Sequence, residues 1–187
     1  MKTIGFALTG SFCTLEKSLL LMEDLAKEYT ILPIISERVA ETDTRFFQKE
    51  DLIARIQKIT GKAPLKNLCQ VEPLGPKKML DLLLICPCTG NTLSKMALGI
   101  TDSCVTMAAK SHRRSGGNVL VALSTNDALS GSAKSLGTVL DKKGFFFVPL
   151  KQDDPIEKPA SLQCDFSLVP KAVAKALEGK SLSPLFL

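Results

Sequence analysis

Short unbroken apolar runs recur along the chain, separated by stretches in which apolar residues return at helical spacing. Thr3 to Leu8, Thr30 to Ile35, Leu82 to Ile85, Val119 to Leu123 and Phe145 to Val148 are the runs. Such runs suit strands buried on both faces of a parallel sheet covered by helices. Between the first two, Leu15, Leu19, Met22, Leu25 and Ala26 form a helical stripe, opened by Thr14 and given a favourable first-turn charge by Glu16. Leu52, Ile53, Ile56 and Ile59 form a second stripe within residues 49–60, which Gly61 stops. Pro33 removes a ladder donor from the second run, so that run reads as an edge strand or a strand end.

The remaining segments are predicted from what interrupts them. Residues 36–48 are polar without an apolar period and read as a loop. Residues 62–76 carry Pro64, Pro73, Gly75 and Pro76, which predicts a connector with one short strand near Cys69 to Val71 and then a short helix. Leu93 to Leu98 reads as a short helix closed by Gly99. Asp102 reads as the cap of a second helix, running through Val105, Ala108 and Ala109 to His112, Arg113 and Arg114, where cations offset the helix dipole. Residues 130–143 are helical in pattern, Phe145 to Val148 is the last strand, and 151–163, charged and holding Pro155 and Pro159, is an exposed loop or flap. Residues 167–177 close the fold as a helix. Residues 180–187 form a tail whose apolar end, Pro184 to Leu187, suits either docking on another chain or a frayed terminus.

Strands alternating with helices in this way specify an α/β fold, a doubly wound and mostly parallel sheet of the Rossmann-like kind, in one domain over residues 1–187. Ligands bind such sheets beyond the carboxyl ends of the strands. Four of those ends carry small or hydroxylated residues: Gly10-Ser11, Ser36, Cys88-Thr89-Gly90-Asn91 and Ser124-Thr125-Asn126. In the third, Pro87 stiffens a slim turn and Asn91 or Thr92 caps the helix that follows, whose free N–H groups and dipole favour anionic groups. A plain strand-to-helix turn would use the same residues. The first loop has neither G-x-G-x-x-G nor G-x-x-x-x-G-K spacing, which favours a mononucleotide over NAD or ATP.

Composition narrows the classes further. A net charge of +5 with scattered lysines, no Trp and one Tyr gives no basic stripe interleaved with aromatics, so nucleic acid is not an expected partner, whereas anionic small molecules are. The six cysteines show no C-x-x-C pairing and the only histidine is His112, so no metal site is expected and free thiols are. No segment has the apolar length of a membrane span, and Thr3 to Leu8 is too short for a signal sequence, which points to the cytoplasm and to no membrane partner.

Pro87-Cys-Thr-Gly-Asn-Thr92 followed by Lys95-Met-Ala-Leu-Gly-Ile-Thr-Asp102 resembles the P-A-S/T-A-N-T…A-x-G-I-x-D signature of the homo-oligomeric flavin-containing cysteine decarboxylase superfamily. Ser124-Thr-Asn126 stands where that superfamily has P-A-M-N. The resemblance implies FMN as cofactor, with Gly10, Ser11 and Ser36 at its phosphate and Cys88, Thr89, Asn91 and Thr92 along the flavin or substrate side. It also implies Asn91 and Asn126 at the substrate, and a homo-oligomer built on trimers with the flavin at an interface between copies. The helix around Met96 and Met107 and the apolar tail end would suit that partner surface. The decarboxylases use a histidine between the second strand and the signature strand, and this chain has none there, so their reaction is not expected and no catalytic residue is assigned. Ala108 to Arg114 also resembles a stretch of the flavin prenyltransferases, but Ser111 and His112 depart from its acidic position.

A narrower likeness rests on Gly5-Phe-Ala-x-Thr-Gly-Ser-x-Cys-Thr14, Cys86 to Thr92 and Ala108 to Arg114. These resemble the second, flavoprotein-like subunit of a two-subunit synthase of spore-forming bacteria. That likeness implies a dihydrodipicolinate-type dicarboxylate substrate, a separate first subunit carrying NADP, and action in the cytoplasm of the mother cell. It leaves open whether this chain performs redox chemistry or only binds its ligands and supports that first subunit.

Overall fold

A computed structural model describes residues 1–187. The apolar runs are strands and the amphipathic stretches pack over them. In chain order the structure contains β1 (Thr3–Leu8), α1 (Leu15–Leu25), β2 (Thr30–Ile35), α2 (Glu37–Glu41), α3 (Lys49–Thr60), α4 (Leu68–Val71), β3 (Leu82–Cys88) and α5 (Gly90–Leu98). There follow α6 (Cys104–Arg114), β4 (Asn118–Thr125), α7 (Ala133–Asp141), β5 (Phe145–Phe147), β6 (Leu150–Lys151), β7 (Leu162–Cys164) and α8 (Val169–Leu177). Single 3-10 turns precede α1, β3 and α8 at Phe12–Thr14, Glu72–Leu74 and Phe166–Leu168.

The sheet has seven strands in the order β2-β1-β3-β4-β7-β6, with β5 also pairing β4. β1, β2, β3, β4 and β5 are parallel, and β7 runs antiparallel to both β4 and β6. β2 is an edge, one of the two positions that its proline suggested. β3 lies at the centre and is buried at every position, which is why its sequence has no polar alternation. β4 shares one side between two partners: residues 119–121 take β5 and residues 124–125 take β7.

Several expectations are corrected. Phe145–Phe147 is not the last strand, because β6 and β7 follow and turn the ends of the expected 151–163 flap into a short antiparallel ladder. Those two strands have too few residues to show a period. Cys69 lies in helix, not strand, because the Asn67 side chain caps α4 by accepting from Gln70 N–H. Ser36 likewise caps a short helix in the expected 36–48 loop, accepting from Val39 N–H. The tail lies on its own sheet: Leu150 N–H donates to Leu185 C=O and Leu187 N–H to Leu150 C=O. Met96 is 6% exposed and belongs to the core, while Met107 is half-buried against it. No helix is long and apolar enough to cross a membrane.

Candidate ligand site at the carboxyl edge of the sheet

All the parallel strands end on one edge, and the loops that leave it enclose two adjoining polar cavities. One, of about 820 Å³, is lined by Gly10, Ser11, Thr89, Asn91, Ser124, Asn126, Asp127, Asp153 and Lys158 among others. The second, of about 710 Å³, has no apolar lining residue and includes Gly10, Ser36, Arg38, Thr89, Asn91, Thr92, Lys95 and Asp102. Gly10, Thr89 and Asn91 border both, so the cavities read as two lobes of one cleft divided by the turn after β3. Each is within the roughly 300–1,000 Å³ common for small-molecule and cofactor sites.

The dividing turn is held from below. Thr9, at the end of β1, donates its hydroxyl to Pro87 C=O at 2.7 Å and accepts from Thr89 N–H at 3.0 Å. Thr89 in turn caps α5, its hydroxyl accepting from Thr92 N–H at 3.2 Å. The cap is therefore Thr89, not Asn91 or Thr92, because Thr89 is the residue with extended backbone at the helix start. The Asn91 side chain makes no hydrogen bond within the chain, and the residue lines both lobes. Gly90 admits the neighbouring loop: a Cβ there would lie 2.7 Å from both Ser132 Oγ and Thr125 Oγ1.

That neighbouring loop is organised by a carboxylate. Asp127 Oδ1 accepts from Thr125 Oγ1 at 2.6 Å and from Ser132 Oγ at 2.9 Å. Ser11 and Ser124 share a hydrogen bond of 3.1 Å between their hydroxyls, joining the loops after β1 and β4. Across the cleft mouth, burial pushes the Asp153 carboxyl up, but hydrogen bonds led by that from Ser161, with Lys158 nearby, hold it below its ordinary value. In the second lobe Lys95 pairs with Asp102 at 2.8 Å and holds its carboxyl down. Asp102 does not cap α6; Ser103 does, in a reciprocal pair with Thr106.

Of the residues singled out from sequence, Gly10, Thr89 and Asn91 reach both lobes, Ser11 and Asn126 the first, and Ser36 and Thr92 the second. Cys88 lines neither. It is fully buried beneath the turn, and burial pushes its thiol well up, as it pushes Cys86 to about 12. His112 is also away from the cleft. It lies at the amino edge of β4, its ring over Gly117, with neither ring nitrogen hydrogen-bonded. It is therefore no solvated cation at a helix end. Sequence reading gave no site role to Thr9, Arg38, Asp127 or Lys158: Thr9 and Asp127 adjoin residues that it singled out, whereas only the tertiary fold brings Arg38 and Lys158 to the edge. No group of His, Cys, Asp and Glu is arranged to hold a metal.

A family model described as Flavoprotein matches residues 1–165. The chain is 40% identical over 187 residues to the second subunit of dipicolinate synthase from Bacillus subtilis (strain 168), covering 100% of this chain and 94% of the relative. The crystal structure of the same dipicolinate synthase subunit from Bacillus halodurans C superposes with a TM-score of 0.91 at 37% identity, covering 100% of this chain and 96% of that one. The FMN-dependent cysteine decarboxylase SpaF shares the fold at a TM-score of 0.67 and 19% identity, over 95% of this chain and 96% of that one.

Proposed function

The chain belongs to the Flavoprotein family, in the branch of the second dipicolinate synthase subunit, and from that premise we propose that its cleft binds FMN and a dihydrodipicolinate-type dicarboxylate during the oxidation that forms dipicolinate. The observation that carries this reading is the Asn91 amide, free of any partner in the chain and shared by two polar lobes at the carboxyl edge of the sheet. Gly10, Ser11 and Ser36, with the first N–H groups of α5, hold the phosphate, because small residues let main-chain donors approach it and the helix dipole favours its charge. Thr89, Asn91 and Thr92 set the ring's orientation. Asn126 meets substrate, and Lys158 offers a cation to a substrate carboxylate.

Aromatising the dihydropyridine ring removes one hydride and one proton. Bound FMN supplies a hydride acceptor. Asp127 offers Oδ2 for the proton, since its Oδ1 is taken by Thr125 and Ser132. The chain assembles as a homo-oligomer built on trimers, and works with the first dipicolinate synthase subunit in the cytoplasm of the mother cell of a spore-forming bacterium.

Titration of flavin fluorescence tests the cofactor: saturable FMN binding, tighter than FAD, is expected, and binding of FAD alone or of neither flavin would overturn it. A second reading is favoured by the place of His112, which leaves the cleft without an imidazole. On that reading the chain binds its ligands without redox chemistry and supports the first subunit, which carries NADP. Anaerobic mixing of the FMN-loaded chain with the dihydro substrate separates the two. Loss of the flavin's visible absorbance in the chain alone supports the first reading, and unchanged absorbance supports the second.

A further inference from the structure

A second cavity system lies away from the cleft, on the face formed by α5, α6 and the start of β5. It measures about 420 Å³ and is floored by Met96, Ile100, Ala109 and Phe145. Its remaining charged lining is entirely cationic: Lys110, Arg113, Arg114 and Lys142. Two of these are committed within the chain. Lys142 donates to Met96 C=O at 3.0 Å, and Arg113 lies over the Phe145 ring at 5.9 Å while donating to Gly117 C=O. Lys110 and Arg114 have no ion-pair partner. The surface beside them is apolar and open, with Leu98 75% and Ile100 42% exposed.

The same chain carries a segment of the opposite character. Residues 152–157 read Gln-Asp-Asp-Pro-Ile-Glu, and Ile156 stands 87% exposed between acids. The segment is fixed in shape. Glu157 N–H donates to Asp154 Oδ1 at 3.0 Å, Lys158 N–H to Asp154 C=O at 2.9 Å, and Gln152 Nε2 to Pro159 C=O at 2.9 Å. Asp154 and Glu157 have no cation paired with them. An apolar anchor held rigidly costs little ordering entropy on docking. Within one chain no hydrogen bond or ion pair joins this segment to the cationic cavity.

We propose that the Ile156 loop of one copy seats in the cationic, apolar-floored cavity of a second copy, with Glu157 and Asp154 facing Arg114 and Lys110. The contact deepens the homo-oligomer reading by naming its surfaces. It is heterologous, loop on one side and cavity on the other, so it propagates around a ring and closes when the rotation permits, as in a trimer. It also reaches the cleft: Asp153 and Lys158, in and next to the docking segment, line the larger lobe, so the seated neighbour stands at the cleft mouth.

Analytical ultracentrifugation of the full chain over a concentration series tests the pairing. Ile156→Asp is expected to weaken association by about tenfold or more, since it puts a charge where an apolar anchor sits. Glu157→Lys and Arg114→Glu are each expected to weaken it severalfold, and the double swap to recover wild-type association to within about twofold. Raising the salt concentration weakens the wild-type assembly. All three side chains are exposed, and thermal melting of each variant confirms the fold. A wild-type chain that is monomeric throughout overturns this contact and the homo-oligomer reading together. A wild-type oligomer untouched by the variants, or a double swap without recovery, overturns this contact alone. Variants that lose capture of the first dipicolinate synthase subunit while self-association stays intact overturn it too.

Discussion

Thr9 and His112 are both polar and both buried, 1% and 2% exposed, at opposite edges of one sheet. Thr9 uses its hydroxyl twice, as donor to Pro87 and acceptor from Thr89, and so fixes the turn that divides the cleft. His112 sits over Gly117 with both ring nitrogens unpaired. Every other buried polar side chain has a partner, among them Ser36, Ser111, Ser124, Ser132 and Ser161. The carboxyl edge is therefore preorganised polar structure, while at the amino edge an imidazole serves as filler. The first arrangement rigidifies a site; the second makes stability depend on pH.

The comparison breaks most severely at Gly90. Gly90→Val forces atoms into Ser132, Thr125 and Asp127, so overpacking and broken hydrogen bonds together are expected to cost about 3–5 kcal/mol and to abolish FMN binding. Denaturant unfolding and flavin titration measure the two effects. Thr9→Val keeps the shape and removes both hydroxyl hydrogen bonds, leaving Thr89 N–H unmet beneath the cleft and Pro87 C=O with only the 3.3 Å bond from Thr9 N–H, at an expected cost of about 1–3 kcal/mol. Serine at the same position should restore most of the loss, which an effect of volume alone would not allow.

At the amino edge, burial first and the nearby Arg113 charge push the His112 imidazole below its ordinary value. Asp81 and the Asn118 main chain pull the other way without completing a hydrogen bond to the ring. The unfolded chain thus takes up the proton before the folded one. Stability is complete above about pH 6.5 and falls as pH drops below it, by at most about 1.4 kcal/mol per pH unit. His112→Leu should remove that component from unfolding curves measured between pH 5 and 8, and a slope unchanged in the variant would place it in other groups.

The smallest effect on stability is expected at Asn91. Asn91→Ala should change unfolding by no more than about 0.5 kcal/mol, as at other exposed positions, because the chain gives that amide no partner. FMN affinity should fall by about 5- to 150-fold in the same variant, the cost of one unmade polar contact. Normal binding with a large drop in melting temperature would reverse the assignment and make Asn91 a structural residue like Thr9.

The apolar runs and helical stripes determined the α/β fold and the carboxyl-edge location of the cleft, because strands buried on both faces leave unbroken apolar runs and amphipathic helices leave a helical period, both of which a linear chain displays. That Gly10, Ser11, Ser36, Thr89, Asn91, Thr92 and Asn126 stand at this edge was legible too: each follows a recognisable strand and is small or polar. Only the tertiary structure decided that Thr89 and not Asn91 caps α5, since the choice depends on backbone angles at the turn. It alone placed Cys88 beneath the turn, Asp127 at a hub of hydroxyls, and the tail on β6, because strands of two or three residues carry no period and their pairing is set by partners distant in sequence. His112 shows the same limit. A helix ending in His-Arg-Arg suggests three solvated cations, and only the close approach of Gly117 turns the first of them inward, out of water and away from every partner.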